Sequence, residues 1–361
     1  MSSPVKAKAL APGATIAFIS PSARLVDELP DVMLRATNVL LDRGYKVRTL
    51  FTQDAGIQSS ISNRVSEIRA AFFNTDISAI ICTIGGSTFT ELLPALIADT
   101  ELHAHIRAHP KIVIGYSDIT GLHWFLYAFA GLRTFYGPGA IPELGEVGSA
   151  ADETYVTAFS VKNLFGAIAR SQPLDDIARS PFYAPKASQF FFEPASTQRA
   201  ALAPAPEWKW LRRGKAQGRL FGGCLTVAAR LHGIRSIVPD WRGRIVFLET
   251  AIGDDESMEQ GNPLDRVRAG FADLIAAGVF EEAAGLVVGR AYGYNSEEER
   301  DKYAGAITGL LCEGRLAKNP FPILFNVDIG HTLPMVTLPF DALAELDSDL
   351  DRFAVLESGV A

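Results

Sequence analysis

The first 140 residues set the tightest limit on the fold, because short apolar, β-branched runs alternate there with amphipathic helical repeats. Residues 15–20 read as a buried strand ending at Pro21, residues 31–43 as a helix closed by Gly44, and residues 46–50 as the next strand. Ser62 is placed to cap a helix running to about Phe73. Residues 79–83 read as a third strand, followed by the Gly85-Gly86 turn and a helix over residues 90–98. Residues 111–114 make a fourth strand and residues 133–136 a fifth. Such alternation dictates a mostly parallel sheet covered by helices on both faces, with any site at the carboxyl ends of the strands. Chemistry should gather near Pro21, Gly85, Gly86 and Ser117.

Between residues 173 and 214 the pattern decays into a long connection carrying Phe190-Phe191-Phe192 and Trp208-Lys209-Trp210 as exposed aromatics. Regular structure then returns. Residues 218–221, 244–248, 285–288 and 323–327 read as strands, and residues 225–232, 264–277 and 296–311 as helices. A chain of 361 residues with 48% apolar residues can bury two such domains.

Composition removes several function classes. A net charge of −7 and a pI near 5.5 argue against nucleic acid or anionic membranes as partners. Residues 1–10 hold no signal-peptide core, and no run approaches the roughly 18 apolar residues of a membrane span, so a cytoplasmic protein is expected. Cys82, Cys224 and Cys312 are too far apart for a disulfide framework or a zinc site. The first strand runs into Ser20-Pro21-Ser22-Ala23 without the glycines of a dinucleotide fingerprint, and Gly214-Lys215 lacks a phosphate-loop context. Asp347, Asp349 and Asp351 fail as a calcium loop at Arg352 and Ser358. His103, His105 and His109 read as surface histidines on a polar helix with no completed ligand set. No metal and no cofactor is expected.

What remains is nucleophilic chemistry. In Gly115-Tyr116-Ser117-Asp118 a buried strand breaks sharply into an apolar helix. A serine at such a corner is either an exposed nucleophile beside a helix amino terminus or a simple helix cap. A serine nucleophile needs a base, and the base needs a carboxylate. His331 follows a buried strand and a glycine, so it sits on a loop over a sheet end, as a base or as an ordinary loop histidine. Glu249 directly follows the apolar run 245–248, where an unpaired carboxylate is costly unless it lies at the sheet's edge. Asp118 is expected to cap the helix with its side chain and to offer only its backbone N–H. The Gly85-Gly86 turn either supplies a second N–H to a developing oxyanion or is only a tight turn.

Taken in order, Thr83-Ile-Gly-Gly-Ser87, Gly115 through Thr120, Thr134 through Pro138, Gly218 through Gly223, Ile245 through Glu249 and Asn326 through His331 resemble the LD-carboxypeptidase family, which includes the microcin C self-immunity peptidases. The resemblance spans nearly the whole chain. It implies an α/β fold with a Rossmann-like parallel-sheet N-terminal domain (1–170) and a smaller C-terminal α/β domain with a β-rich core (215–361). Residues 171–214 would join them as a connecting segment and specificity loop. It implies a catalytic triad of Ser117, Glu249 and His331, an oxyanion hole from the backbone N–H groups of Gly86 and Asp118, and a homodimer. Two departures stand out. Cys224 occupies a position where the family pattern has asparagine, and the Ile84-Gly85-Gly86-Ser87 turn is closer to the self-immunity branch than to murein-recycling enzymes. Gly85, Ser87, Trp208, Trp210 and Cys224 are the substrate-binding candidates. Trp208 and Trp210 would either stack on a nucleobase or clasp the two domains. The implied substrate is a small murein-derived L,D-peptide or an aminoacyl-nucleotide conjugate.

Overall fold

The expected alternation builds one side of the molecule. In a computed structural model, which describes residues 4–148, 150–152, 154–253 and 258–361, five parallel strands form its sheet. They are β1 (Thr15–Ile19), β2 (Lys46–Leu50), β3 (Ile77–Cys82), β4 (Ile112–Gly115) and β5 (Phe135–Tyr136), in the spatial order β2-β1-β3-β4-β5. The crossovers are α1 (Pro30–Leu41), α2 (Ile57–Phe73), α3 (Leu93–Ala98), α4 (Thr100–Ala108) and α5 (Thr120–Ala130), and α6 (Val156–Ile168) follows β5. Strands β1 and β4 are buried along their whole length, as continuous Ile/Val-rich runs covered on both faces must be.

Three local expectations are corrected. Ser62 does not cap α2: the helix begins five residues earlier, and the Ser62 hydroxyl donates to the carbonyl of Gln58 within it. The segment 90–98 splits into a 3-10 turn over Phe89–Leu92 and the short α3, which starts at Leu93 with Pro94 in its first turn. His103 is buried rather than on the surface, because its face of α4 meets Phe125 and Phe129, and its Nε2 pairs with the Leu96 carbonyl at 2.8 Å.

The second sheet contains β6 (Pro173–Asp176), β9 (Lys209–Arg212), β10 (Lys215–Cys224), β11 (Arg244–Glu249), β12 (Gly285–Gly289), β13 (Ile323–Val327), β15 (Leu343–Asp347) and β16 (Arg352–Ser358). Its order is β6-β16-β15-β10-β11-β12-β13-β9, with β10 to β13 parallel and the flanking strands antiparallel. Helices α7 (Leu225–Leu231), α8 (Leu264–Ala276) and α9 (Glu297–Leu311) connect the parallel strands, and α9 begins with a capping box between Ser296 and Glu299. The connecting segment is therefore not free. It supplies β6 and β9 to opposite edges of this sheet and, between them, the small pair β7 (Phe182–Tyr183) and β8 (Ala203–Pro204).

The two sheets are stitched together. Strand β14 (Leu338–Pro339), which follows the His331 loop, returns to the first sheet and pairs antiparallel with β5. The Trp124 indole on α5 donates to the Gly222 carbonyl on β10 at 2.9 Å, inside one continuous apolar core running from α5 to β10–β13. The carboxyl end of the chain comes back to its beginning, with Ala361 N–H donating to the Ala7 carbonyl at 2.8 Å. Among the described residues no helix is long and apolar enough to cross a membrane.

Candidate active site

Ser117 stands where β4 ends and α5 is about to begin, with φ of 63°, in the left-handed region that a non-glycine residue rarely adopts. Holding it there costs on the order of 1–3 kcal/mol, and the surroundings supply the constraint. The Thr120 hydroxyl donates to the Ser117 carbonyl at 2.6 Å and accepts from the N–H of Cys224 at 3.1 Å. On the other side, Ser117 N–H donates to the Tyr136 hydroxyl at 3.2 Å. The corner is thereby clamped between β5 and the end of β10.

His331 and Glu249 meet this serine from the second sheet. His331 Nε2 lies 3.0 Å from Ser117 Oγ, and its Nδ1 lies 2.7 Å from Glu249 Oε2. The Tyr136 hydroxyl donates to Glu249 Oε1 at 2.5 Å, so both carboxylate oxygens are engaged although Glu249 is fully buried. Burial pushes the Glu249 carboxyl up, but the charge and hydrogen bonds of His331 and the Tyr136 hydroxyl outweigh it and hold it below its ordinary value. Gly330 makes the approach possible: its φ is 97°, and a Cβ there would lie 2.3 Å from Glu249 Oε2. With the imidazole proton on Nδ1, Nε2 is free to accept a proton from the serine hydroxyl. That is the geometry of a base-activated nucleophile.

The glycine turn lies directly against the serine, since a Cβ on Gly85 would come 2.7 Å from Ser117 Oγ and 3.2 Å from the Asp118 nitrogen. Asp118 does not cap α5 with its side chain. Its Oδ2 accepts from the Phe89 N–H at 2.8 Å and the Ser22 hydroxyl at 2.6 Å, and its Oδ1 accepts from Arg230 at 2.6 Å. This buried carboxylate ties the loops after β1 and β3, and α7, to the residue beside Ser117.

These groups open onto a cavity of about 220 Å³ whose walls are mainly apolar, including Ile252, Met258 and Leu333. The connecting segment reaches it through Lys186, Ala187 and Phe191. Trp208 and Trp210 are not among its lining residues. Trp208 Nε1 donates to Asp328 at 3.4 Å behind the His331 loop, and Trp210 Nε1 donates to Asp351 at 2.8 Å on the outer edge. Gly85 and Gly86 line the cavity, whereas Ser87 is exposed beyond them and not part of its wall. Cys224 is buried beside Glu249 in the β10–β11 ladder, outside the cavity, and burial pushes its thiol up. Among the described residues no group of three or more His, Cys, Asp or Glu side chains is placed to hold a metal ion.

Tyr136, Tyr116 and Glu143 were missed from sequence. Tyr116 lines the cavity with its ring edge-on to His331 at 5.0 Å, and its hydroxyl donates to Glu143 at 2.8 Å. Glu143 also accepts from the Gly139 N–H at 2.8 Å, and burial pushes its carboxyl up to about 7. A tyrosine in an apolar strand reads as core, so the signal for Tyr136 was only its membership of the Thr134–Pro138 motif.

Comparison with known proteins follows the same lines. Residues 16–137 match the LD-carboxypeptidase N-terminal domain and residues 217–346 the LD-carboxypeptidase C-terminal domain. A carboxypeptidase-like protein of Vibrio cholerae is 30% identical over 96% of each chain. The microcin C7 self-immunity protein MccF of Escherichia coli is 28% identical over 99% of this chain and 97% of its own. A Bacillus subtilis protein named "Probable murein peptide carboxypeptidase" is 27% identical over 99% of this chain and 95% of its own. The solved structure of MccF with aspartyl sulfamoyl adenosine superposes with a TM-score of 0.83 at 26% identity, covering 99% of this chain and all of that one (100%).

Proposed function

The chain belongs to the LD-carboxypeptidase family, and on that premise we propose that it is a serine peptidase hydrolysing an amide bond through an acyl-enzyme at Ser117. The observation that carries this reading is the row of contacts Ser117–His331–Glu249, at 3.0 and 2.7 Å, opening on a cavity. His331 takes the Ser117 proton as Oγ attacks the substrate carbonyl, and Glu249 orients the ring and stabilises the imidazolium. The backbone N–H groups of Gly86 and Asp118 receive the oxyanion, where each such donor contributes about 10²–10³ in rate. His331 then protonates the leaving amine, and water releases the acyl group by the same route. The residues that carry out these steps require no metal or cofactor.

The substrate proposed is a murein-derived L,D-peptide, after the Bacillus relative, acted on in the cytoplasm by a homodimer. The second reading is an aminoacyl-nucleotide amide, favoured by the MccF structures solved with aminoacyl sulfamoyl nucleosides and by Phe191 in the cavity wall. The test is purified protein given a murein tetrapeptide and, separately, aspartyl sulfamoyl adenosine, with Ser117→Ala alongside. Turnover and labelling by a serine-directed fluorophosphonate, both lost in a folded Ser117→Ala protein, are expected. Undiminished hydrolysis by that variant would refute the reading, and binding without turnover or labelling would leave a small-ligand binding protein.

A further inference from the structure

The segment that closes the cleft is fixed at both ends and carries a cation at its middle. Ala184 N–H donates to the Leu333 carbonyl at 2.8 Å, two residues beyond His331. Four residues on, the buried Ser188 hydroxyl donates to buried Glu146. Between them Asn295 donates to the Pro185 carbonyl at 3.2 Å. The backbone of 184–188 is thereby strapped across the mouth of the cavity, anchored to the His331 loop at one end and to the first domain at the other.

Lys186 sits at the centre of this strap and lines the cavity. Its side chain is 77% exposed and faces Glu259 at 3.6 Å, a long ion pair in water that another carboxylate can replace with little loss. Among the described cavity-lining residues it is the one with a permanent positive charge. The other polar side chains of the wall are committed elsewhere: the Ser188 hydroxyl to Glu146, Tyr116 to Glu143 and Tyr292 to the Met258 carbonyl. An apolar cleft with one cation at its rim fits a substrate that presents a carboxylate to the opening.

We propose that Lys186 is a specificity-determining residue, which gives up Glu259 to anchor a substrate carboxylate at the cavity mouth. This rests on the amide-hydrolase reading for its purpose, but its binding test does not. Two sources share the chemistry: the terminal carboxylate of a murein peptide and the side-chain carboxylate of an aspartyl-nucleotide conjugate.

The experiment measures binding by calorimetry on the inert Ser117→Ala background, with Lys186 intact, Lys186→Met or Lys186→Arg. The ligands are a murein tetrapeptide against its C-terminal amide, and aspartyl sulfamoyl adenosine against its asparaginyl counterpart. With Lys186 present, one carboxylate ligand is expected to bind about tenfold or more tighter than its counterpart with that one carboxylate amidated. Lys186→Met should bring that preference below about threefold while the amidated ligand binds as before, and Lys186→Arg should keep most of it. The pair showing the preference identifies the source. A preference that survives Lys186→Met, or none in either pair, overturns the inference. Carboxylate-selective binding in a wild-type protein that turns over neither substrate would sink the hydrolase reading alone.

Discussion

Tyr136 donates to Glu249 at 2.5 Å while its own oxygen accepts the Ser117 N–H at 3.2 Å. One phenol therefore positions both ends of the proposed catalytic row. Tyr136→Phe keeps the ring, which packs against Phe247, and removes only the hydroxyl. A hydrogen bond to a charged group contributes about 1.5–3 kcal/mol, so kcat should fall about 10- to 100-fold in a folded variant. The same bond helps hold the Glu249 carboxyl below its ordinary value, so its loss should move the acidic limb of the pH–rate profile upward. Stopped assays from pH 4 to 9 read both, and an unchanged rate and profile would remove Tyr136 from the site.

Gly330→Ala tests the fit between the His331 loop and the buried acid. Alanine must adopt φ of 97° with its methyl against a carboxylate oxygen. The expected cost is about 1–3 kcal/mol in urea unfolding, with kcat reduced more than KM because His331 is displaced. Wild-type stability and rate in this variant would show that the loop accommodates a side chain.

What could be read in the sequence was the part governed by strand ends. Ser117, Glu249 and His331 each follow an apolar run, where a polar side chain is either at a sheet's carboxyl edge or badly placed, and that asymmetry made them visible. The first five strands were equally legible, because each begins and ends against turn or helix signals. The paired tryptophans were legible as aromatics but not by their partners. Their indoles point to Asp328 and Asp351, partners more than 100 residues away that local pattern cannot announce. Strand β14 was invisible for the same reason, being two residues long and defined wholly by pairing with β5. The role of Asp118 escaped because a carboxylate at a helix start satisfies the capping rule just as well as a tertiary network does.

Asp118→Asn should expose that network. Asparagine keeps the outline but replaces one accepting oxygen with a donor, facing Arg230 or the Ser22–Phe89 pair. The expected loss is about 1–3 kcal/mol of stability, and fluorophosphonate labelling of Ser117 should slow about tenfold or more as the adjacent N–H loses its setting. Labelling at the wild-type rate would separate the carboxylate from the chemistry.

Glu143 gives the stability curve a definite sign. Its carboxyl titrates near 4.5 in the unfolded chain and near 7 in the folded one, so folding favours the protonated form. The stabilisation is complete below pH 4.5 and is lost as the pH rises through 7. Between pH 5 and 8 the wild type should therefore lose stability relative to Glu143→Gln, by on the order of 2 kcal/mol in parallel urea titrations. Equal slopes would show that Glu143 is ionised throughout.

The return of β14 to the first sheet has a mechanical consequence. Residues 328–337 are tethered at one end to β13 and at the other to β5, so the imidazole is carried by a bridge rather than by a free flap. The two lobes cannot swing apart as a hinge without tearing Leu338 from Tyr136, so the Ser117–His331 contact is in place before any ligand arrives. Access and selectivity then fall to what lies over the opening. Substrate preference can drift by changing that cover while the reacting atoms stay where they are.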